Sequence, residues 1–264
     1  MKIFSIITVC LNAPGLELTC ESIVNQTFQD FEWIVIDGGS NGSTLSVFEK
    51  YKYRMDYFVS EIDGGIYDAM NKGISRASGE WVNFMNAGDC FVGNDVLQSI
   101  FMERHEYLKY DVIYGDAIFD YSNSPTRKFF PSETELKKIF FAVDSLNHQS
   151  TFIKRKAFYD FGHYDTAYKI IADGVFFLRL YINGRSFKHI GRTVAIFAPY
   201  GANFIQKKQH DEEKKCLHKY FTADELVEAK SYPRELAKKR FIKMLRQNVM
   251  DSDEGNSSCS IDNS

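Results

Sequence analysis

Residues 60–91, SEIDGGIYDAMNKGISRASGEWVNFMNAGDCF, decide the fold through the order of their local patterns. An acidic, Gly-rich turn, Asp63-Gly64-Gly65, precedes Ile66, Met70, Ile74 and Ala77 at helical spacing; Gly79 then breaks the helix before the apolar run Trp81 to Met85. A strand, a crossover helix and a parallel strand bring both strand ends to one edge of a sheet, so Asp63 and Asp89 are expected at one rim. Two carboxylates delivered there by separate strands suit a cation site, although aspartates are also ordinary turn residues.

The pattern repeats upstream. Residues 2–9, KIFSIITV, are β-rich and almost continuously apolar, as in a strand covered on both faces, and end at Asn12-Ala13-Pro14-Gly15. Leu16, Cys20, Ile23 and Val24 then share a helical face, FEWIVID (31–37) repeats the buried-strand signature, Leu45 and Phe48 mark another helix, and Met55 to Val59 a third strand. Such alternation predicts an α/β domain with a mainly parallel sheet, whose ligands bind at the carboxyl ends of the strands. Those ends carry Thr8 to Asn12, Asp37, Asp63 and Asp89, a polar and acidic rim. Neither G-x-x-x-x-G-K-[ST] nor a G-x-G-x-x-G after the first strand is present, which counts against P-loop and common dinucleotide sites. A phosphate ligand among these carboxylates would need Mg²⁺ or Mn²⁺ between the like charges.

Downstream, Asn94 is a candidate cap for a helix carrying Leu97, Ile100 and Phe101, DVIY (111–114) and STFI (150–153) read as strands, and 120–147 reads as irregular lining. Asp173 opens a helix with Phe176, Phe177, Leu180 and Tyr181 as its buried stripe; a carboxylate there favours the helix dipole and also suits a catalytic base facing a cleft. Residues 186–197 form a closing strand or hairpin and 198–202 a turn. Beyond Gln206 the chain becomes charge-rich helix, ending in a basic amphipathic piece with Ala237, Phe241, Met244 and Leu245 on one face and Lys238, Lys239, Arg240, Lys243 and Arg246 around it. Such a helix packs on its own domain or lies on an anionic membrane. The polar, acidic residues 251–264 are expected to be disordered.

At 264 residues the chain suffices for one large domain with an appendage, divided here into 1–205, 206–250 and a tail, 251–264. A net charge of −3 gives no sign of nucleic-acid binding. The cysteines at 10, 20, 90, 216 and 259 show no paired metal spacing and fit a reduced, cytoplasmic protein. No uncharged run is long enough to cross a bilayer.

Taken together, SIITVCLNAPGLELTCESIVNQTFQDFEWIVIDGGSNGST resembles the opening of family 2 glycosyltransferases, inverting nucleotide-sugar enzymes of GT-A fold. SEIDGGIYDAMNKGISRASGEWVNFMNAGD looks like the colanic-acid and lipopolysaccharide type within that family, and NHQSTFIKRKAFYDFGHYD with IIADGVFFLRL is similar to its acceptor-side half. The resemblance spans roughly residues 3–200. It implies that Thr8, Asn12 and Asp37 hold the base and ribose, that Asp63 and Gly64 approach uridine and diphosphate with Asn71 and Lys72 on the helix behind, and that Asp173 is the general base. The family's metal motif has Asp at its first, third and fourth places; here these are Asn86, Gly88 and Asp89, so one carboxylate remains, with His148 or Asp116 as candidate further ligands for Mg²⁺ or Mn²⁺. The function implied is transfer from a nucleotide-diphosphate sugar, a UDP-sugar by preference, to a glycan or lipid-linked acceptor in surface polysaccharide biosynthesis, in the cytoplasm or at the inner face of the plasma membrane. The reduced metal motif also fits a non-catalytic nucleotide-sugar binding protein. A nucleotidyltransferase would need a basic Gly-rich loop that Asn12-Ala13-Pro14-Gly15 does not supply.

Overall fold

The computed structural model describes residues 2–121, 124–197 and 207–255. Four parallel strands, β1 (Phe4–Cys10), β2 (Phe31–Asp37), β3 (Tyr57–Ser60) and β4 (Trp81–Phe84), lie in the order β3-β2-β1-β4. They are linked by α1 (Leu16–Val24), α2 (Ser43–Tyr51) and α3 (Ile66–Arg76). Side chains alternate across β1 and β2. Ile7, Val9, Ile34 and Ile36 join a core cluster with Met70 and Ile74 of α3, whereas Phe4, Ile6, Trp33 and Val35 join a second cluster with Leu16, Cys20 and Ile23 of α1. Helices on both faces explain why these strands read as unbroken apolar runs. The buried sides of two helices differ slightly from the expected ones. On α3 they are Tyr67, Ala69, Met70, Gly73 and Ile74, and on α2 Thr44, Phe48 and Tyr51, with Leu45 exposed. Gly73 lets α3 lie close on β1, since a Cβ there would sit 2.5 Å from Ile7 Cγ2.

The other half of the sheet is mixed. β5 (Cys90–Phe91), β6 (Val112–Tyr121), β7 (Ser124–Lys128), β8 (Thr151–Lys154) and β9 (Phe187–Phe197) complete nine strands in one sheet. β8 runs antiparallel to β4 and to β6, while β9 pairs parallel with β6. Region 120–147 contains β7 and the short α6 (Phe140–Val143); α4 (Val96–Met102) and α5 (Arg104–Tyr107) precede it. α7 (Arg155–Phe161) and α8 (Ala172–Ile182) follow β8, and Phe158 of α7 stacks on Phe176 of α8 with ring centroids 4.8 Å apart. The turn expected at 198–202 lies outside the described residues.

Among the described residues two more helices follow, α9 (Lys207–Leu217) and α10 (Ala223–Gly255), the latter continuous through Pro233. Ala229, Tyr232 and Leu236 form the buried stripe of α10, the Tyr232 hydroxyl donates to Glu135 O, and Lys138 pairs with Glu225 at 3.0 Å. This part packs on its own domain. Ala237 is exposed; Phe241, Met244 and Leu245 lie outside the residues whose side chains are described; of the tail expected to be disordered, 251–255 continue α10 and 256–264 lie outside the described residues. Among the described residues no helix is long and apolar enough to cross a membrane.

Candidate active site

Parallel pairing of β1 to β4 sends their carboxyl ends to one rim, where a cleft of about 570 Å³ opens. Asn12, Asp63, Gly64, Asn86, Gly88 and Asp89 line its strand-end side. Asp63 Oδ1 accepts from Gly65 N at 2.8 Å and Asp68 Oδ2 from Gly64 N at 2.9 Å, which fixes the turn before α3. Asn12 is a non-glycine residue with positive φ, 47°; its Oδ1 accepts from Asn41 N at 2.9 Å, and its N–H donates to Ser40 Oγ at 2.6 Å. Asp37 is fully buried, and its Oδ2 accepts from Ser40 N (2.8 Å) and Ser60 Oγ (2.6 Å). Among the described residues its buried Oδ1 has no hydrogen-bond partner. A buried oxygen of this kind costs free energy unless a ligand or water serves it.

The opposite side is delivered by the antiparallel strand. Extending the register of Trp81 with Lys154 and Val82 with Ile153 past the last pair sets Asn86 level with Gln149, just ahead of β8. His148 Nε2 meets Asn86 Nδ2 at 2.9 Å, and Gln149 Nε2 donates to Asp89 Oδ2 at 2.6 Å. With an amide N–H facing Nε2, the ring proton sits on Nδ1, which is 2.8 Å from Asp173 Oδ2. The other oxygen of Asp173 is 2.8 Å from the Tyr67 hydroxyl, itself 2.7 Å from Ile170 O. One continuous polar chain thus runs from the Asn86–Asp89 turn through His148 to the first turn of α8. Burial pushes the Asp173 carboxyl up. His148, the Tyr67 hydroxyl and Gly174 N–H more than offset this, so it lies below the usual carboxylate range and is ionised at neutral pH. His148 and Tyr67 line the cleft with Asp173 behind them, its side chain 14% exposed.

The donor atoms fit a hard cation. Among the described residues no three His, Cys, Asp or Glu side chains cluster as ligands. Asp89 accepts from the Gln149 amide nitrogen, and the amide oxygens of Gln149 and of Asn86, on the same turn as Asp89, are buried without a hydrogen-bond partner among the described residues. One carboxylate with neutral oxygens suits Mg²⁺ or Mn²⁺ that keeps other positions for phosphate or water. Charge balance points the same way. Among the described residues that line the cleft, Asp63, Asp68 and Asp89 face a single lysine, Lys169.

Several expected site residues do not line the cleft; Asp37 is one, buried behind the strand-end rim. Thr8 is fully buried and its Oγ1 accepts from the Trp33 indole at 3.0 Å. Asn71 clamps Tyr164 through both backbone groups, at 2.9 and 3.0 Å, and Lys72 pairs with Glu61 at 2.7 Å; none of the three lines the cleft. Asp116 is held by His189, Arg127 and Phe130 N–H, also away from the cleft. Both ring nitrogens of His148 are engaged by protein groups. Tyr67 and Gln149, which no motif marked, are central to the site.

Comparison with known proteins agrees with this geometry. The chain is 32% identical over 184 residues to a PGL/p-HBAD biosynthesis glycosyltransferase of Mycobacterium bovis, covering 68% of this chain and 70% of that one. It is similar in structure to TarS of Staphylococcus aureus, with TM-score 0.63 and 20% identity over 80% of this chain, although it spans only 39% of TarS. A mannosyltransferase of Pyrobaculum calidifontis, solved with GDP-Man and Mn²⁺, gives TM-score 0.63 at 14% identity, covering 87% of this chain and 69% of that one. These likenesses establish the GT-A type fold. The profile described as Glycosyl transferase family 2 matches residues 5–178, two thirds of the chain including every element of the cleft from β1 to Asp173, and the protein belongs to that family.

Proposed function

We propose that this glycosyltransferase moves a sugar, with inversion, from a nucleoside-diphosphate donor, preferably a UDP-sugar, to a hydroxyl of a glycan or lipid-linked acceptor in surface polysaccharide assembly. The observation that carries the reading is one cleft whose strand-end rim bears Asp63 and Asp89 and whose lining residues His148 and Tyr67 each contact the ionised carboxylate of Asp173 just behind them. Asp37, with a buried oxygen lacking a partner among the described residues, suits the imide N–H of a base, and Asn12 and the Asp63-Gly64 turn suit ribose and diphosphate. TarS has been solved with UDP-GlcNAc and with UDP, and the mannosyltransferase with GDP-Man, which supports a nucleoside-diphosphate sugar as the donor class.

Asp89, with Asn86 and Gln149, would hold Mg²⁺ or Mn²⁺. When bound, the ion offsets the charge that develops on the leaving diphosphate. Asp173 takes the proton of the acceptor hydroxyl as its oxygen bonds to the anomeric carbon and the bond to phosphate breaks, the electron pair leaving with the nucleotide. His148 and Tyr67 hold that carboxylate in place through their 2.8 Å contacts. Contact of the basic part of α10 with the inner membrane face belongs to the same proposal.

The test is a thermal-shift screen of nucleoside diphosphates and nucleotide sugars with and without Mn²⁺, followed by donor turnover, because a ligand that binds the folded state raises its melting temperature. UDP and a UDP-sugar should stabilise the protein, more so with Mn²⁺, and turnover should yield the inverted anomer. Stabilisation without turnover against any acceptor or water would favour the binding-protein reading. No stabilisation by any nucleotide would overturn both.

A further inference from the structure

Helix α8, which carries Asp173, begins without a cap of its own: its N-cap residue is Ile171, whose side chain has no acceptor. The backbone N–H groups entering such a helix need acceptors from somewhere. The three N–H groups just ahead of its first residue, those of Lys169, Ile170 and Ile171, find theirs on α9. Glu213 Oε1 accepts from Lys169 N at 2.9 Å, and Oε2 accepts from Ile170 N at 2.9 Å and Ile171 N at 3.3 Å. One turn earlier on α9, Gln209 lines the cleft and donates to Glu213 Oε1 at 2.9 Å. Lys214 of the same helix donates to Val143 O at 2.6 Å, and Leu217 is buried in the core, so α9 is docked at its far end as well.

We propose that α9, which lies beyond the residues matched by the family, completes the acceptor side of the active site, with Glu213 as a positioning residue for Asp173 and Gln209 as a contact for the acceptor. The inference rests on the reading of Asp173 as the base. A carboxylate that gathers three successive N–H groups immediately ahead of Ala172 fixes where α8 starts, and with it the direction of the Asp173 side chain. Gln209 shares the cleft lining with Thr166, Tyr168 and Lys169, the segment that leads into α8 and Asp173. An acceptor reaching Asp173 from that side passes Gln209. Of these four residues only Gln209 lies outside the family match, so its contribution to acceptor choice is this chain's own.

The test uses the full chain with Mn²⁺, the UDP-sugar that turns over fastest, and either water or p-nitrophenyl glucosides as acceptor. Glu213→Ala should lower kcat at least tenfold with both acceptors, leave the donor KM within twofold, and speed amide exchange in the peptide spanning 169–175 but not in β1 to β4. Glu213→Gln, which keeps one acceptor oxygen, should recover part of the rate. Gln209→Ala should raise the glucoside KM severalfold, by more than it changes the donor KM. Unchanged kcat in Glu213→Ala, or a loss matched by weaker donor binding and general exchange, would overturn the positioning role. An unchanged glucoside KM in Gln209→Ala would overturn the acceptor wall. Full turnover in Asp173→Asn would instead bring down the assignment of the base, so the two failures are distinguishable.

Discussion

Replacing Asp173 by Asn keeps the shape of the side chain and removes its charge, and the structure defines what this does to its neighbours. His148 Nδ1–H and the Tyr67 hydroxyl both point at carboxylate oxygens from 2.8 Å. An amide offers one oxygen and one N–H₂, so one of the two contacts becomes donor against donor. The imidazole can escape only by moving its proton to Nε2, which then opposes Asn86 Nδ2 unless that amide also turns. Losing one hydrogen bond to a charged group costs about 1.5–3 kcal/mol. At about 2–4 °C per kcal/mol for a chain of this size, Tm should fall by roughly 3–12 °C. Removal of a general base should cost about 10²–10⁴-fold in kcat. Stability carries a pH signature as well. The folded-state pKa of Asp173 lies below its unfolded value, so its contribution is complete above about pH 4 and is lost as pH falls through the folded value; Asp173→Asn should lose that acid-side dependence. The assay is donor turnover at saturating substrate, with UDP affinity measured separately. A variant that keeps kcat within fivefold, or whose loss lies wholly in UDP affinity, would refute the assignment.

Gly73→Ala should destabilise, because a Cβ 2.5 Å from Ile7 Cγ2 overpacks the α3–β1 contact by about 1–3 kcal/mol, more than the helix-propensity gain of about 1 kcal/mol; chemical denaturation reads the sign. Gln149→Leu removes both the hydrogen bond to Asp89 and an amide oxygen beside it, and Mn²⁺ binding followed by electron paramagnetic resonance should weaken about 10–100-fold; unchanged affinity would remove Gln149 from the cation site. Vesicles with anionic lipid should sediment the full chain at low salt and release it at high salt, whereas neutral vesicles should not, if the basic part of α10 meets a membrane.

The parallel half of the molecule was open to reading because each strand there is a short apolar run ended by a polar turn. β2 occupies 31–37 as expected, and Asp63 and Asp89 reach one cleft because a crossover helix leaves no other arrangement. The mixed half was less legible. The parallel partnership of β6 with β9 joins segments about 75 residues apart, and such pairing leaves no local trace. Residues 120–147 read as irregular because β7 and α6 are only five and four residues long. At the site, type and position did not decide role. Asn71 and Lys72 sit on the helix next to the donor turn, but 3.6-residue periodicity rotates them towards Tyr164 and Glu61. Gln149 stands just ahead of the strand read at 150–153, and only the antiparallel register of that strand with β4 brings it to Asp89. Tyr67 carries no signal of its own because Ile66, Met70 and Ile74 already satisfy a helical stripe, whereas the buried side of α3 takes in Tyr67, Ala69 and Gly73 beside Met70 and Ile74.

The most direct measurement is a crystal structure of the protein with Mn²⁺ and a non-hydrolysable UDP-sugar. The account predicts the ion against Asp89 with the amide oxygens of Asn86 and Gln149 near it, the base at Asp37, and the open face of the anomeric carbon turned towards Asp173. A nucleotide bound away from this rim, or a sugar whose open face turns from Asp173, would contradict it.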